Sequence, residues 1–498
     1  MEKLRRKLFF WSLVVLFLII TPVVVLRARG YRFDLHRGVF VHSGTISIKN
    51  NPQTVDILID GEPTQSNLNR INNSYNISGL IPNNYNIEVK ADGFQAWNKT
   101  IDVHSGLAAE FWNILLVRNN YEDISYSTGG IDNFFISPKN NLVAFTNNAS
   151  DGVSLNILNI NDQTIGNTFH FTDGFFSKAE RKENIEWSPE ENYLSVPLKI
   201  TSTTVKTEGK IKKTETATAY KYFVIDMGSN DSFILNDFLS KVDIRNVRWD
   251  PKEKDYLFFL SENNLYRANI RDVADITLVA DNVSSYDLGK TAVYYTQLPN
   301  EILFKTALDG KSDKNQITSN FPEAPNRPNE KLIVYDEDRV AFINQSKDLF
   351  IYNNGEHGNY FRKLASGVES IQFSDDGKKL LYWTGNEIAV YYLRDWNVQP
   401  LRTEDSVESI TRFSTPVENV QWLKDYEHVI FSVGSQIKVI ELDPRDHKNI
   451  MDLPKTSLEK PLVTYNNSLE YLFFIDQKGE VPDLYSIIFP EKITLLGF

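Results

Sequence analysis

Apolar and polar positions divide this chain into three stretches of different period. From Leu8 to Leu26 the residues are apolar apart from Ser12, Thr21 and Pro22, with Lys3, Arg5, Arg6 and Lys7 before them and Arg27 and Arg29 after. At about 1.5 Å rise per residue this run makes roughly 28 Å of helix, close to the ~30 Å hydrocarbon core of a bilayer. It predicts a membrane anchor over residues 8–26, preceded by a cytoplasmic tail at 1–7. The competing reading is a cleavable secretory signal that releases a soluble protein after Ala28. The run is longer than the ~7–15 residues of an ordinary signal core, and Ala28 has Leu26 and Arg29 around it instead of a small-x-small site.

A basic, aromatic connector follows at 27–43, and from Gly44 the period becomes two. Thr45-Ile46-Ser47-Ile48, Val55 to Ile59, Tyr85 to Val89, Trp97 to Val103 and Glu110 to Val117 read as short strands, with turns at Asp60-Gly61, Asp92-Gly93 and Ser105-Gly106. Six or seven such strands without a helical period predict a small β-sandwich over 44–118. Its residues Gly44, Pro52, the run Val55-x-Ile57-x-Ile59 ending in Asp60 and Gly61, then Leu80-x-Pro82, Tyr85-x-Ile87-x-Val89 and Gly93-Phe94 resemble the PEGA domain. The resemblance implies a compact non-enzymatic sandwich of prokaryotic surface and envelope proteins. The name-giving tetrapeptide is replaced by Asn51-Pro52-Gln53-Thr54, and an unrelated immunoglobulin-like sandwich is the alternative.

The third stretch, 121–498, repeats itself. An apolar-x-aromatic triplet, then Ser or Asp and often Pro, a polar turn and an aromatic-rich strand recur. Copies are centred on Ile136 (before Ser137-Pro138), Trp187 (before Ser188-Pro189), Trp249 (before Asp250-Pro251), Phe373 (before Ser374-Asp375) and, in degenerate form, Trp422, with weaker echoes near Tyr286, Leu332 and Tyr465. The spacing brackets the ~40–50 residues of a propeller blade. A single four-stranded sheet cannot bury both faces, so such sheets stack radially, and the five anchors are predicted to fill the gaps between neighbours. Seven or eight blades fit, with eight favoured by the number of anchors. The pattern is similar to TolB-type and WD40-like propellers, a likeness that carries a fold and no catalytic residue. Between Leu194 and Ile225 a Thr-rich alternating run, with Glu208-Gly209 at mid-length and Lys206, Lys210, Lys212 and Lys213 near its tip, predicts a long protruding hairpin. It is either a contact element or a solvated insertion. The expected fold class is therefore mainly β: an anchoring helix, a sandwich and a propeller.

Charge narrows the function classes. The first 37 residues carry +6 and the remainder −18, which argues against a nucleic-acid partner, whose phosphates demand clustered Lys and Arg. With no cysteine there are no disulfides, thiol nucleophiles or thiolate metal sites, a composition more expected of a prokaryotic surface protein than of a eukaryotic secreted one. Basic residues are balanced across the span, so orientation rests on the acidic bulk being the translocated part.

Catalytic signatures are missing from the sequence. There is no Gly-x-Ser-x-Gly elbow, and Gly310-Lys311-Ser312 lacks the first glycine of a phosphate loop, Lys305 standing there instead. The histidines at 36, 42, 104, 170, 357, 428 and 447 show no metal-ligand spacing, and Asp336-Glu337-Asp338 and Asp375-Asp376 read as turns, so no catalytic, cofactor or metal residue is assigned and no cofactor is expected. The expectation is a single-pass, extracytoplasmic binding or scaffold protein of the cell envelope. Its partner would be an envelope protein, a cell-wall polymer or a surface-layer polymer. The alternative is a propeller glycan lyase or hydrolase with carboxylates at the channel.

Overall fold

The computed structural model describes residues 2–35, 37–64, 68–69, 74–176, 185–208, 211–322 and 328–490, and the side chains of 2–4, 68–69 and 202–217 lie outside that description, as does His36. The helix Glu2–Ala28 is longer than the apolar run, because nothing in the basic flanks opposes helix until Gly30, whose φ of +85° ends it. Its segment Arg5–Ala28 is long and apolar enough to cross a membrane, and none of it is buried against protein.

Residues 27–43, read as a connector, contain a β-hairpin, Tyr31–Asp34 with Val39–His42. Both of its ends are held. Ser43 donates through its backbone N–H and its hydroxyl to the Gly30 carbonyl (2.8 and 2.7 Å), and Ser105 Oγ donates to the His42 carbonyl at 3.1 Å.

The sandwich is built from two sheets. One runs Ala108–Leu115, Gly44–Asn51, Ser74–Leu80, Leu68–Asn69, its first pair parallel; the other runs Glu62–Pro63, Asp56–Ile59, Asn83–Lys90, Trp97–Val103. Inward residues Ile46, Ile48, Ile57, Ile87, Val89, Trp97 and Phe111 form its core. Asp60 (φ 52°) and Gly61 (φ 83°) are both left-handed, which is the requirement of the tight two-residue hairpin turn that an Asp-Gly pair satisfies. A Cβ on Gly44 would strike the Val103 side chain and lie 2.7 Å from the His104 carbonyl oxygen, so only glycine fits there.

Eight blades follow among the described residues, seven of four strands and the second of five. Their first strands are Asn133–Ile136, Glu186–Trp187, Arg245–Trp249, Val283–Leu288, Asn329–Asp336, Val368–Phe373, Val417–Trp422 and Val463–Asn466. The eighth blade borrows its outer strand, Ile124–Ser125, from the segment just after the sandwich, where it pairs with Asp483–Ile488 and closes the ring. Apolar clusters each span two successive blades, as when Leu155 and Ile157 of the first pack with Trp187 and Val196 of the second. This is the radial burial that closes a propeller. In the second blade Tyr193–Glu208 and Ile211–Asp226 pair along their whole length, a hairpin far longer than any other; Gly209 and Lys210 lie outside the described residues, and the side chains of Lys206, Lys212 and Lys213 outside the described side chains.

The repeated Ser has a physical reason. Ser137, Ser188 and Ser374 each accept on Oγ the N–H of the residue five positions on (Leu142 at 3.1, Tyr193 at 3.0, Lys379 at 3.0 Å), while their own N–H groups bond to the same residues' carbonyls. Three residues after each Ser the chain is left-handed, at Asn140 (φ 62°), Glu191 (φ 62°) and Gly377 (φ 64°). Copies without glycine adopt the same turn, so the serine clamp and the flanking ladder, rather than glycine, enforce it.

Candidate functional site

The anchors knit neighbouring blades by one recurring bond. Trp187 Nε1 donates to the Phe135 carbonyl at 3.1 Å, Trp249 Nε1 to the Glu186 carbonyl at 3.2 Å, and Trp422 Nε1 to the Gln372 carbonyl at 3.1 Å. Each acceptor immediately precedes the preceding blade's anchor, namely Ile136, Trp187 and Phe373. Trp187, Trp249 and Trp422 are buried, whereas Ile136 and Phe373 are half-buried against their clusters.

The acceptor residues' own side chains form the second tie. Gln372 Oε1 accepts the Trp422 N–H at 2.9 Å, and Gln421 Oε1 accepts the Tyr465 N–H at 2.7 Å. At the same position the second, third and fourth blades carry Glu186, Arg248 and Asp287. Arg248 Nε lies 2.8 Å from Glu186 Oε1, its Nη1 lies 3.1 Å from Asp287 Oδ1, and Asp287 Oδ2 accepts the Val334 N–H at 2.9 Å. The Glu186 and Arg248 side chains remain 30% and 43% exposed although they stand on the innermost strands, so what they face is the central channel. Burial, with Asp287 adding to it, raises the Glu186 carboxyl above its usual range even against Arg248. Arg248 is held charged by the same pair. The channel wall therefore presents an acid–base–acid triad in which one guanidinium is shared by two carboxyl groups.

A second concentration of charge lies where the sandwich meets the sixth and seventh blades. Strand Trp97–Val103 alternates buried and exposed residues, and Lys99 falls in the buried series with Trp97, Ile101 and Val103. Its ammonium, fully enclosed, donates to the carbonyls of Asp443 (2.8 Å), Arg445 (2.8 Å) and His447 and lies 2.9 Å from Glu441 Oε1. Glu441 also accepts from Trp97 Nε1 and from the Asn449 N–H, each at 2.8 Å. Arg445 stacks 3.9 Å from the Phe111 ring centroid and donates to the Glu110 carbonyl at 2.8 Å. Two glutamines clamp backbone from opposite sides: Gln399 bonds the Glu110 N–H and the Ala108 carbonyl, and Gln95 bonds the Asp452 N–H and carbonyl. The sandwich core and the core between the seventh and eighth blades are one continuous apolar cluster.

Beside this junction His428, buried, lies 2.7 Å from Asp425 Oδ2. Burial by itself lowers the imidazole, but Asp425 with Glu441 and Glu427 together turn the net direction upward; burial raises the Asp425 carboxyl, but His428, the Glu427 N–H and Lys379 together hold it below its usual range. Nearby Lys379 pairs with Glu427, whose carboxyl burial raises. A cavity of about 30 Å³, room for a water, adjoins Glu427, His428, Glu441 and Arg445. On the junction's other side an open cleft of about 340 Å³, lined by residues such as Gln95, Arg118, Tyr121, Asp452, Lys455 and Lys478, reaches the lower end of ligand-pocket size.

Of the sequence-assigned residues, Gly44, Asp60, Gly61, Tyr85 and Gly93 shape the sandwich. Tyr85 donates to the Ile81 carbonyl at 2.8 Å, Gly93 has φ 81°, and Pro52 and Pro82 sit between strands. None of these stands with the charged groups. Glu186, Arg248, Asp287, Lys99 and Glu441 were not singled out in the sequence. An inward lysine in a clean alternating strand was the one available signal. Among the described residues no three His, Asp or Glu side chains are grouped to hold a metal ion.

No family model matches the sequence, and no curated protein matches it. Similar solved structures include the β-propeller domain of Cps50 (Swd1) from Myceliophteria thermophila, at 12% identity over 74% of this chain and 99% of that one, TM-score 0.40. A eukaryotic initiation factor matches at 10% over 70% and 82%, TM-score 0.44, and an oligogalacturonate lyase in complex with manganese at 11% over 75% and 96%, TM-score 0.38.

Proposed function

We propose that this chain is a single-pass membrane-anchored scaffold of a prokaryotic cell envelope, whose PEGA-like sandwich is a rigid collar that holds a TolB-like or WD40-like propeller at a fixed pose outside the cytoplasmic membrane to bind an envelope protein or a cell-wall or surface-layer polymer. The observation that carries this reading is the pairing of a fully unburied apolar helix with a sandwich locked to the propeller through Lys99, Gln95 and Gln399. An anchor with a stiff collar sets the height and tilt of the propeller, which is what a presenting scaffold needs. The junction cleft and the propeller rims supply recognition surface.

The alternative, glycan cleavage at the channel, has Glu186 and Asp287 in its favour as two carboxylates in one channel. Both are committed to Arg248, which makes them braces between blades before anything else. The cysteine-free sequence makes topology directly testable. A single cysteine at Val242, 95% exposed, should react in intact cells with a membrane-impermeant maleimide, and the protein should resist alkaline extraction from membranes. Labelling only after lysis, or release by alkali, overturns the proposal.

A further inference from the structure

Among the described residues, the hairpin between helix and sandwich carries an exposed apolar tip. Leu35 is 85% exposed, and Phe33, Val39 and Phe40 are 46–48% exposed. Phe33 and Phe40 stack edge to face at 5.1 Å across the two strands, so their exposure belongs to an ordered surface rather than a frayed loop. Isolated exposed apolar residues need no explanation, but four on one twelve-residue hairpin do.

Position and charge identify the occupant. Ser43 ties the hairpin's return strand to Gly30, two residues past the helix, so the base of the element is fixed beside the helix end and its four-residue strands reach about 13 Å from that base. The headgroup layer on each side of a bilayer is itself about 5–8 Å thick. The surroundings are cationic: Arg27, Arg29 and Arg37 are exposed, and Asp34, which bonds the Arg37 N–H, is the one carboxylate between residues 27 and 43. Arg32 is folded back over Gly79, where a Cβ would come 2.7 Å from its guanidinium, and this fixes the hairpin against the sandwich.

From this we infer that the hairpin is a second membrane contact: Phe33, Leu35, Val39 and Phe40 enter the interfacial layer of the same bilayer, and Arg27, Arg29 and Arg37 hold anionic lipid headgroups. The inference rests on the anchor reading above. Two attachment points of this kind prevent the body from swivelling on a single helix.

The test uses full-length protein reconstituted into phosphatidylcholine–phosphatidylglycerol vesicles, with single cysteines Leu35→Cys, Val15→Cys and Val242→Cys carrying an environment-sensitive fluorophore. The Leu35 probe should be blue-shifted relative to Val242 and quenched by lipids brominated near the headgroup, and the quenching should fall when phosphatidylglycerol is omitted. A Leu35 probe as wet as Val242 while the Val15 probe is lipid-buried overturns the hairpin contact and leaves the anchor standing. A wet Val15 probe overturns both.

Discussion

Replacing Lys99 by methionine tests whether the sandwich and the propeller are one mechanical unit. The side chain has no exposed surface and satisfies three carbonyls of the 443–447 loop as well as the Glu441 carboxylate. Removing one partner of a buried ion pair costs about 3–5 kcal/mol. Glu441 keeps N–H donors from Trp97 and Asn449, which places that part at the low end, while each carbonyl that loses its donor adds about 1 kcal/mol. A loss of about 4–6 kcal/mol is expected. It should be read by urea unfolding of the detergent-solubilised chain, followed by tryptophan fluorescence, because Trp97 reports from the junction itself. Glu441→Gln and the double variant complete a cycle, in which touching groups should show a coupling of about 1–3 kcal/mol. If Lys99→Met unfolds within about 0.5 kcal/mol of the parent, or the cycle shows no coupling, the lysine is not the lock and the rigid collar loses its basis.

Other expectations follow from single bonds. His428 has a folded-state pKa raised above its unfolded value of about 6.5, so its contribution is complete below that pH and disappears as pH rises through the raised value. His428→Gln should flatten the part of a melting-temperature profile that lies above about pH 6.5, and an unchanged slope there refutes the assignment. Trp249→Phe keeps the ring stacked on Tyr193 at 5.4 Å but removes the indole bond to Glu186, which should cost about 1 kcal/mol in denaturant titrations; a cost near zero would leave the inter-blade bond without weight. Ser188→Ala leaves the buried Tyr193 N–H without its side-chain acceptor and should cost about 1–2 kcal/mol, against less than about 0.5 for the exposed Ser229→Ala measured alongside it.

The repeat was readable because burial between blades imposes a strict local pattern: a large aromatic where two sheets meet, then a serine that can clamp its turn. Trp187, Trp249 and Trp422 satisfy both demands within a few residues, so their period survives in the chain. Eight blades agree with the number suggested by those anchors. Glycine carries little of this signal, since Glu191 and Tyr426 take the left-handed turn that glycine holds at 377. The charged groups were hidden for a different reason. Arg248 lies 62 residues after Glu186 and Asp287 another 39 on, and the three meet only after three blades have closed. Lys99 and Glu441 are 342 positions apart, and no local spacing announces such a pair. The connector was legible as basic and aromatic, but a pair of four-residue strands is too short for alternation to show.

The shared eighth blade also has a consequence for how the molecule is made. Tyr126, beside the borrowed outer strand, bonds Ser486, 360 residues later. At about 5–20 residues per second, the ribosome delivers that partner roughly 20–70 s after the strand itself emerges. During that wait the sandwich has its strands in hand while the ring stands open, with one unpaired edge at Ile124–Ser125 and another at the growing end. A message broken before the final hairpin thus yields an open sheet whose two sticky edges mark it for chaperones or proteases.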